Sequence, residues 1–187
     1  RSNSVTPRTI TRITTSTFSW GIDRVDQESA VLDGLLSTTN RGDNAIVFIV
    51  DTGIASSSEF TGRLTSGFTS INDGQGTSDC QGHGTHVASI AGGTGAGSIY
   101  RGVAYDANFL FVTFLVDEAA VLDAWDWMYQ KSQALGKRLV INMSWGLYHF
   151  GTLDGTSILS QAITAYTDLG VVFANSGGNN GNVNFHI

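Results

Sequence analysis

The sequence predicts an α/β fold in three layers, a mostly parallel sheet with helices on both sides. Three observations lead there. Apolar, β-branched runs of strand length alternate with stretches of helical spacing, the pattern of strand–helix–strand units. The strand-like runs are apolar throughout, as strands covered on both faces are. A length of 187 residues with 41% hydrophobic and 14% charged composition suits one domain with a sizeable core.

The elements follow in order. Residues 1–19 are polar and Thr/Ser-rich and read as a loosely structured arm before residues 20–187, the N-terminal part of a domain whose sheet is expected to be incomplete here. The stretch RGDNAIVFIVD reads as a turn feeding a buried strand, with Asp51-Thr52-Gly53 at its tip. Its Arg41-Gly42-Asp43 is better explained by that turn than by an adhesion function. Thr65 to Gly82 is rich in Gly, Ser, Asn and Asp and is expected to be loop. HGTHVASIAGG reads as a helix stopped by a glycine pair, and NFLFVTFLV as a second strand. In EAAVLDAWDWMYQKSQALG, residues Val121, Leu122, Trp125, Met128 and Tyr129 share one helical face and Gly136 ends it. RLVINMSW is a third strand, TSILSQAITAYTDLG a further helix and VVFANSGG a fourth strand. No internal repeat interrupts this order.

Composition narrows the function classes. A formal charge of −6 and a pI of about 4.9 leave no basic stripe for nucleic acid. No run approaches the roughly 20 apolar residues of a membrane span. The N-terminal residues lack the apolar centre of a signal peptide. Cys80, the single cysteine, cannot form an internal disulfide, so cysteine usage does not reveal the compartment.

In parallel sheets, ligands gather at the carboxyl ends of the strands. Asp51, Ser144-Trp145 and Ser176-Gly177-Gly178-Asn179 fall there. An aspartate in a D-T-G setting suits two chemistries. Two such aspartates can share a proton and activate water, or one can orient a histidine. The first belongs to almost wholly β enzymes, which the strand–helix alternation disfavours. The second finds its partner in GHGTHVASIAGG, where His83 opens a helix between glycines. A metal site on His83 and His86 is disfavoured, because the spacing is i, i+3 with no acid between. His86 is expected to be a buried structural histidine.

Taken together, IVDTGI, DCQGHGTHVASIAGG, NMSWG and GVVFANSGGNNG, in that order, resemble the subtilisin-like serine proteases, most closely their proteinase K-like branch. SWGIDRVDQ is similar to that branch's opening. The resemblance implies roles. Asp51 matches the triad aspartate, His83 the general base and Asn179 the oxyanion-hole donor. Ser144, Trp145 and Gly146 match an edge that pairs with an extended substrate, and Ser176, Gly177 and Gly178 the opposite wall of the specificity pocket. Asp23, Asp26 and Gln27, with Asp33, match a surface calcium site, so calcium is expected as a structural ion and no cofactor for the chemistry.

The family's serine lies in a G-T-S-M-A-type turn after the oxyanion asparagine. Gly155-Thr156-Ser157 precedes Asn179 and reads instead as a helix N-cap. The nucleophile is therefore expected outside this chain, supplied by a following segment or a C-terminal half. Two further departures stand out. Branch members usually pair the cysteine at Cys80 with one downstream, and VDEAA replaces the usual Gly/Ser-rich substrate edge. The expected function is secreted serine endopeptidase activity on extended peptide or protein substrates, without nucleic-acid or membrane partners. The alternative is a non-catalytic peptide-binding relative or an inert fragment.

Overall fold

The computed structural model describes residues 12–17, 19–96, 100–113, 117–146, 152, 154–179 and 182. Five parallel strands form the central sheet in the order β4-β5-β3-β6-β7. They are β3 (Ala45–Val50), β4 (Leu64–Thr69), β5 (Asn108–Thr113), β6 (Arg138–Met143) and β7 (Val172–Asn175). A separate hairpin-like pair joins β1 (Ile13–Ser16) antiparallel to β2 (Leu35–Thr38), with α1 (Trp20–Arg24) between them in sequence.

The alternation of side chains along β3 creates two cores. Ile46, Phe48 and Val50 point to one face and Val47 and Ile49 to the other. On the first face lie α3 (Glu118–Leu135) and α4 (Ile158–Asp168). Val121, Ala124, Trp125 and Met128 of α3 are buried there, with Leu122 and Tyr129 partly buried beside them. The helical face read from the sequence is thus the packed face. Trp125 meets Phe173 of β7 edge-on at 5.2 Å between ring centroids. On the second face, α2 (His83–Gly92) sets Ala88 and the partly buried Val87 and Ala91 against Val47, Ile49, Phe109 and Phe111. This is the three-layer architecture the sequence predicts.

Caps end the helices where the chemistry requires. The Asp117 side chain accepts a hydrogen bond from the Ala120 amide at 2.9 Å to start α3, and Gly136 closes it in a left-handed conformation at φ 61°. Ser157 caps α4, accepting from the Ser160 amide at 3.2 Å. At the far end of α2, the Arg63 guanidinium donates to the carbonyls of Gly92 at 2.8 Å and Ala107 at 3.0 Å, and also to that of Glu59. It ties the helix to the starts of β4 and β5.

Two expectations need correction. Leu64–Thr69, read largely as loop, is an edge strand paired with β5. Its polar LTSGFT sequence gives no apolar run, and its register shifts between Thr65 and Phe68. Residues 13–16 of the expected loose arm form β1, held by its ladder with β2 rather than by any apolar pattern of its own. Residues 1–11 and 18 of the arm, Val116 of VDEAA and residues 180–181 of GVVFANSGGNNG lie outside the described residues.

The chain builds β4 and β5 on one side of β3, then crosses through α3 to build β6 and β7 on the other. The tip of β3 therefore faces the crevice where the winding reverses, the usual place for a ligand in such sheets. Asp51 is the first residue beyond that tip.

Candidate active site

Asp51 leaves β3 with its amide still bonded to the Val112 carbonyl at 3.1 Å. Its side chain is only 2% exposed. Such burial is costly for a carboxylate unless partners satisfy it. Oδ1 accepts the Thr52 amide at 2.7 Å and lies 2.7 Å from Nδ1 of His83. Oδ2 is buried and has no hydrogen-bond partner among the described residues. An ionised carboxylate can only accept, so this geometry calls for a proton on Nδ1 and leaves Nε2 for other work. The imidazole is 52% exposed, and it lines a cavity of about 540 Å³. Asp51, Thr52, Cys80, Thr113 and Trp145 line the same cavity.

The pair meets because two glycine-bearing turns interlock. Gly53 has φ 125°, which side-chain-bearing residues rarely adopt, and a Cβ there would sit 2.6 Å from the Thr77 carbonyl oxygen. Gly84 follows His83 in the first turn of α2. A Cβ at Gly84 would stand 2.3 Å from the Gly53 carbonyl oxygen and 3.2 Å from Cβ of Asp51. The start of α2 thus rests backbone-to-backbone on the D-T-G turn. The Gly84 amide donates to Thr52 Oγ1 at 3.0 Å, stitching the two together.

Behind the pair lies Asp79. Its Oδ1 accepts from the amides of Gln81 at 3.0 Å and Gly82 at 2.7 Å and from the Thr52 hydroxyl at 2.9 Å. Its Oδ2 accepts the amide and hydroxyl of Thr85 at 2.9 and 2.6 Å. Partial burial works to raise its pKa. The bonds from the Thr85 hydroxyl and from the amides of Thr85, Gln81 and Gly82 override that and hold it well below the usual carboxylate range. Sequence reasoning weighed Asp79, with Asp73, only as a poorer calcium candidate than the acids near α1 and gave it no part beside His83. The signal available was an aspartate four residues before His83 and six before Thr85, across a glycine, where free amides at a helix start seek an acceptor.

A sequence-family model described as "Subtilase family" matches residues 42–186, most of the chain. The chain belongs to the subtilase family. It is 40% identical over 133 residues, 70% of its length, to the "Extracellular serine proteinase" of Thermus sp. (strain Rt41A). It is 35% identical over 167 residues, 86% of its length, to "Alkaline serine exoprotease A" of Vibrio alginolyticus. Among solved structures, a "cold adapted subtilisin-like serine proteinase" superposes with a TM-score of 0.69 at 31% identity over 88% of the chain. The subtilase chain spans 32% and 28% of the lengths of those two curated relatives and 57% of that structure.

The other residues singled out in this subtilase chain are only partly gathered. The amide of Ser176 donates to the Met143 carbonyl at 3.0 Å, and its hydroxyl donates to the Trp145 carbonyl at 3.0 Å. These bonds set Ser176 beside Trp145. Ser144 accepts a bond from the Asn142 carboxamide at 2.9 Å. Trp145 serves two ends, packing against the larger core while lining the cavity. Asn179 is exposed after β7 and is not among the residues lining that cavity. Cys80 is an exposed free thiol.

Ser157 is engaged at the start of α4, sharing a 2.8 Å hydrogen bond with the Ser160 hydroxyl as well as capping the helix. His86 is exposed and lines a different cavity with Ser89, Ile90 and Tyr100, so the expectation of a buried structural histidine is overturned. One turn of helix carries it away from the D-T-G turn, toward the rim beyond α2.

The acidic group near α1 is drawn together by backbone amides. Asp23, 5% exposed, accepts the Gly34 amide at 2.8 Å, and Asp26 accepts the Ser37 amide at 2.6 Å. The Gln27 side chain donates to Asp33 at 2.8 Å. Asp26 Oδ1 is buried without a hydrogen-bond partner. Among the described residues, no three acidic, histidine or cysteine side chains converge tightly enough to hold a metal by themselves.

Proposed function

We propose that this subtilase chain supplies the general base, its orienting carboxylate and an oxyanion donor to a serine endopeptidase. The observation that carries the reading is the 2.7 Å contact between a buried Asp51 carboxylate and a half-exposed His83 imidazole at the mouth of a cavity. Asp51 holds the Nδ1–H tautomer. Nε2 of His83 takes the proton from a serine hydroxyl as its oxygen attacks the scissile carbonyl. The imidazolium then returns that proton to the leaving amine, and the peptide C–N bond breaks. Water repeats the cycle on the acyl-enzyme and frees the serine. Asn179 stabilises the oxyanion of the tetrahedral intermediate, a contribution of about 3–4 kcal/mol for such a donor. The nucleophile comes from a segment outside the 187 residues.

Substrate enters as an extended strand. Ser144–Gly146 offer backbone groups to pair with it, and Ser176–Gly178 form the facing wall of the pocket. The adjacency of the two segments through Ser176 and Trp145 supports this reading. The substrates are peptides or proteins met outside the cell, a location suggested by the relative named an extracellular serine proteinase. Calcium is proposed as a structural ion at Asp23, Asp26 and Gln27. The orphaned Asp26 Oδ1 fits a hard cation, which Asp23, Asp26 and Gln27 would hold through oxygen and which would tie the segment around α1 together.

The deciding experiment treats the folded full-length protein with a serine-directed fluorophosphonate probe. Labelling is expected at a serine C-terminal to Asn179, and it should be lost in His83→Ala. No labelling would refute the protease reading and favour a peptide-binding relative without catalysis. Labelling at Ser157 would overturn the assignment of the nucleophile.

A further inference from the structure

Nothing in the reaction just described uses Asp79, yet it is the most heavily bonded side chain near the pair. Its five contacts fall on three separate pieces of chain. The amides of Gln81 and Gly82 belong to the turn before His83. The Thr85 amide and hydroxyl belong to the first turn of α2, on the other side of His83. The Thr52 hydroxyl belongs to the turn that begins with Asp51. His83 is therefore bracketed by residues tied to one carboxylate, and the same carboxylate reaches the immediate neighbour of Asp51.

The network continues outward through two hydroxyls. Thr52 Oγ1 donates to Asp79 and accepts the Gly84 amide at 3.0 Å. Thr85 Oγ1 donates to Asp79 and accepts the Ala55 amide at 2.9 Å. Each hydroxyl uses its single proton on Asp79, which frees its lone pairs for an amide from the opposite segment. Two threonines thus become two-ended connectors between the strand tip and the helix. Their polarity is set by an acceptor that has no proton to give.

We infer that Asp79 is a positioning residue for catalysis, fixing the reach of His83 toward Asp51 through Thr52 and Thr85. It hydrogen-bonds to Thr52, Gln81, Gly82 and Thr85 and not to the imidazole. Its action is to hold the helix start and the aspartate turn in one register. An asparagine in its place retains one acceptor oxygen and adds a donor. It cannot serve all five protons at once, so at least one connector is reversed or released. This inference rests on the protease reading for its activity measurement alone, because the Asp51–His83 bond can be observed independently of any nucleophile.

The test uses the full-length protein with 15N-labelled histidine. The wild type is expected to give a downfield, exchange-protected Nδ1–H resonance from His83, absent in Asp51→Asn. Asp79→Asn and Thr52→Val should each shift or broaden that resonance, and each should lower kcat on a peptide substrate by about ten- to a hundredfold. KM should change little. Thr52→Val leaves the three amide bonds to Asp79 in place, so it separates positioning from helix capping. If Asp79→Asn fails to fold, Thr52→Val decides alone. Folded variants that keep the wild-type resonance and kcat would overturn the inference while leaving the pair intact. A wild type without the resonance would overturn both the pair and the role given to Asp79.

Discussion

Replacing Gly84 by alanine sets two effects of known sign against each other. Gly84 lies in the first turn of α2, and alanine is favoured over glycine in helices by up to about 1 kcal/mol, the full value applying to interiors. Helix propensity alone therefore predicts a more stable protein. Packing predicts the reverse. The added Cβ would lie 2.3 Å from the Gly53 carbonyl oxygen, 3.0 Å from the Gly53 nitrogen and 3.2 Å from Cβ of Asp51. Two of these atoms are backbone, in a turn where a Cβ at Gly53 would itself meet the Thr77 and Ser78 carbonyls, so no flexible side chain can yield. Non-bonded heavy atoms settle at about 3.5 Å or more. The start of α2 must then retreat by roughly 1 Å, at the ~1–3 kcal/mol typical of overpacking. A retreat of that size along the Asp51–His83 vector would also stretch the present 2.7 Å bond past hydrogen-bonding range. We expect Gly84→Ala to lower Tm despite its better propensity, and to cut kcat of the full-length protein by about a hundredfold. His86→Ala, an exposed change in the same helix, is the control and should hold or raise Tm. Thermal unfolding by circular dichroism and peptide hydrolysis are the assays. A Gly84→Ala variant that melts at or above the wild-type temperature with unchanged kcat would refute the interlocked-turn account.

Two further outcomes follow from the acidic residues. Asp79 is held below its ordinary pKa in the folded protein, so its stabilising contribution is fully present above about pH 5 and declines as the pH falls below the unfolded value of about 3.9. Urea unfolding between pH 6 and pH 3 should show wild-type stability falling more steeply than that of Asp79→Asn, and parallel curves would contradict the network. At the proposed calcium site, added calcium should raise Tm, by the equivalent of about 2–3 kcal/mol at a hundredfold excess over Kd. Asp26→Asn should abolish the response, and a wild type indifferent to calcium and chelator would remove the site.

What was legible in the sequence follows from which surfaces each element buries. β3, β5 and α3 lie between or against two cores, so IVFIV, FLFV and the Val121–Trp125–Met128 stripe had to be apolar, and periodicity finds them. β4 lies at the edge of the sheet and runs Leu-Thr-Ser-Gly-Phe-Thr, with a register shift that breaks its pairing with β5. Nothing local distinguishes it from the loop that follows. β1 exists only by virtue of its ladder to β2, some 20 residues later in sequence. The exposure of His86 was likewise invisible, because its i, i+3 spacing from His83 says that both lie near one face but not where that face ends.

The site itself was half legible, and the unequal halves have a physical cause. Asp51 and His83 are side chains whose chemistry is readable by type, a carboxylate at a strand tip and an imidazole at a helix start. Their alignment is not a property of either residue. It depends on two missing side chains, at Gly53 and Gly84, whose absence lets two backbones touch. It depends equally on an acceptor, Asp79, whose partners are mostly amides that every sequence carries. Motif reading weights reactive groups and treats glycine and loop acids as filler. In this chain the filler sets the distance between the reactive groups. D-T-G alone is ambiguous between two chemistries, and it becomes specific once the Gly84 amide and the Asp79 carboxylate have both claimed the hydroxyl of its threonine.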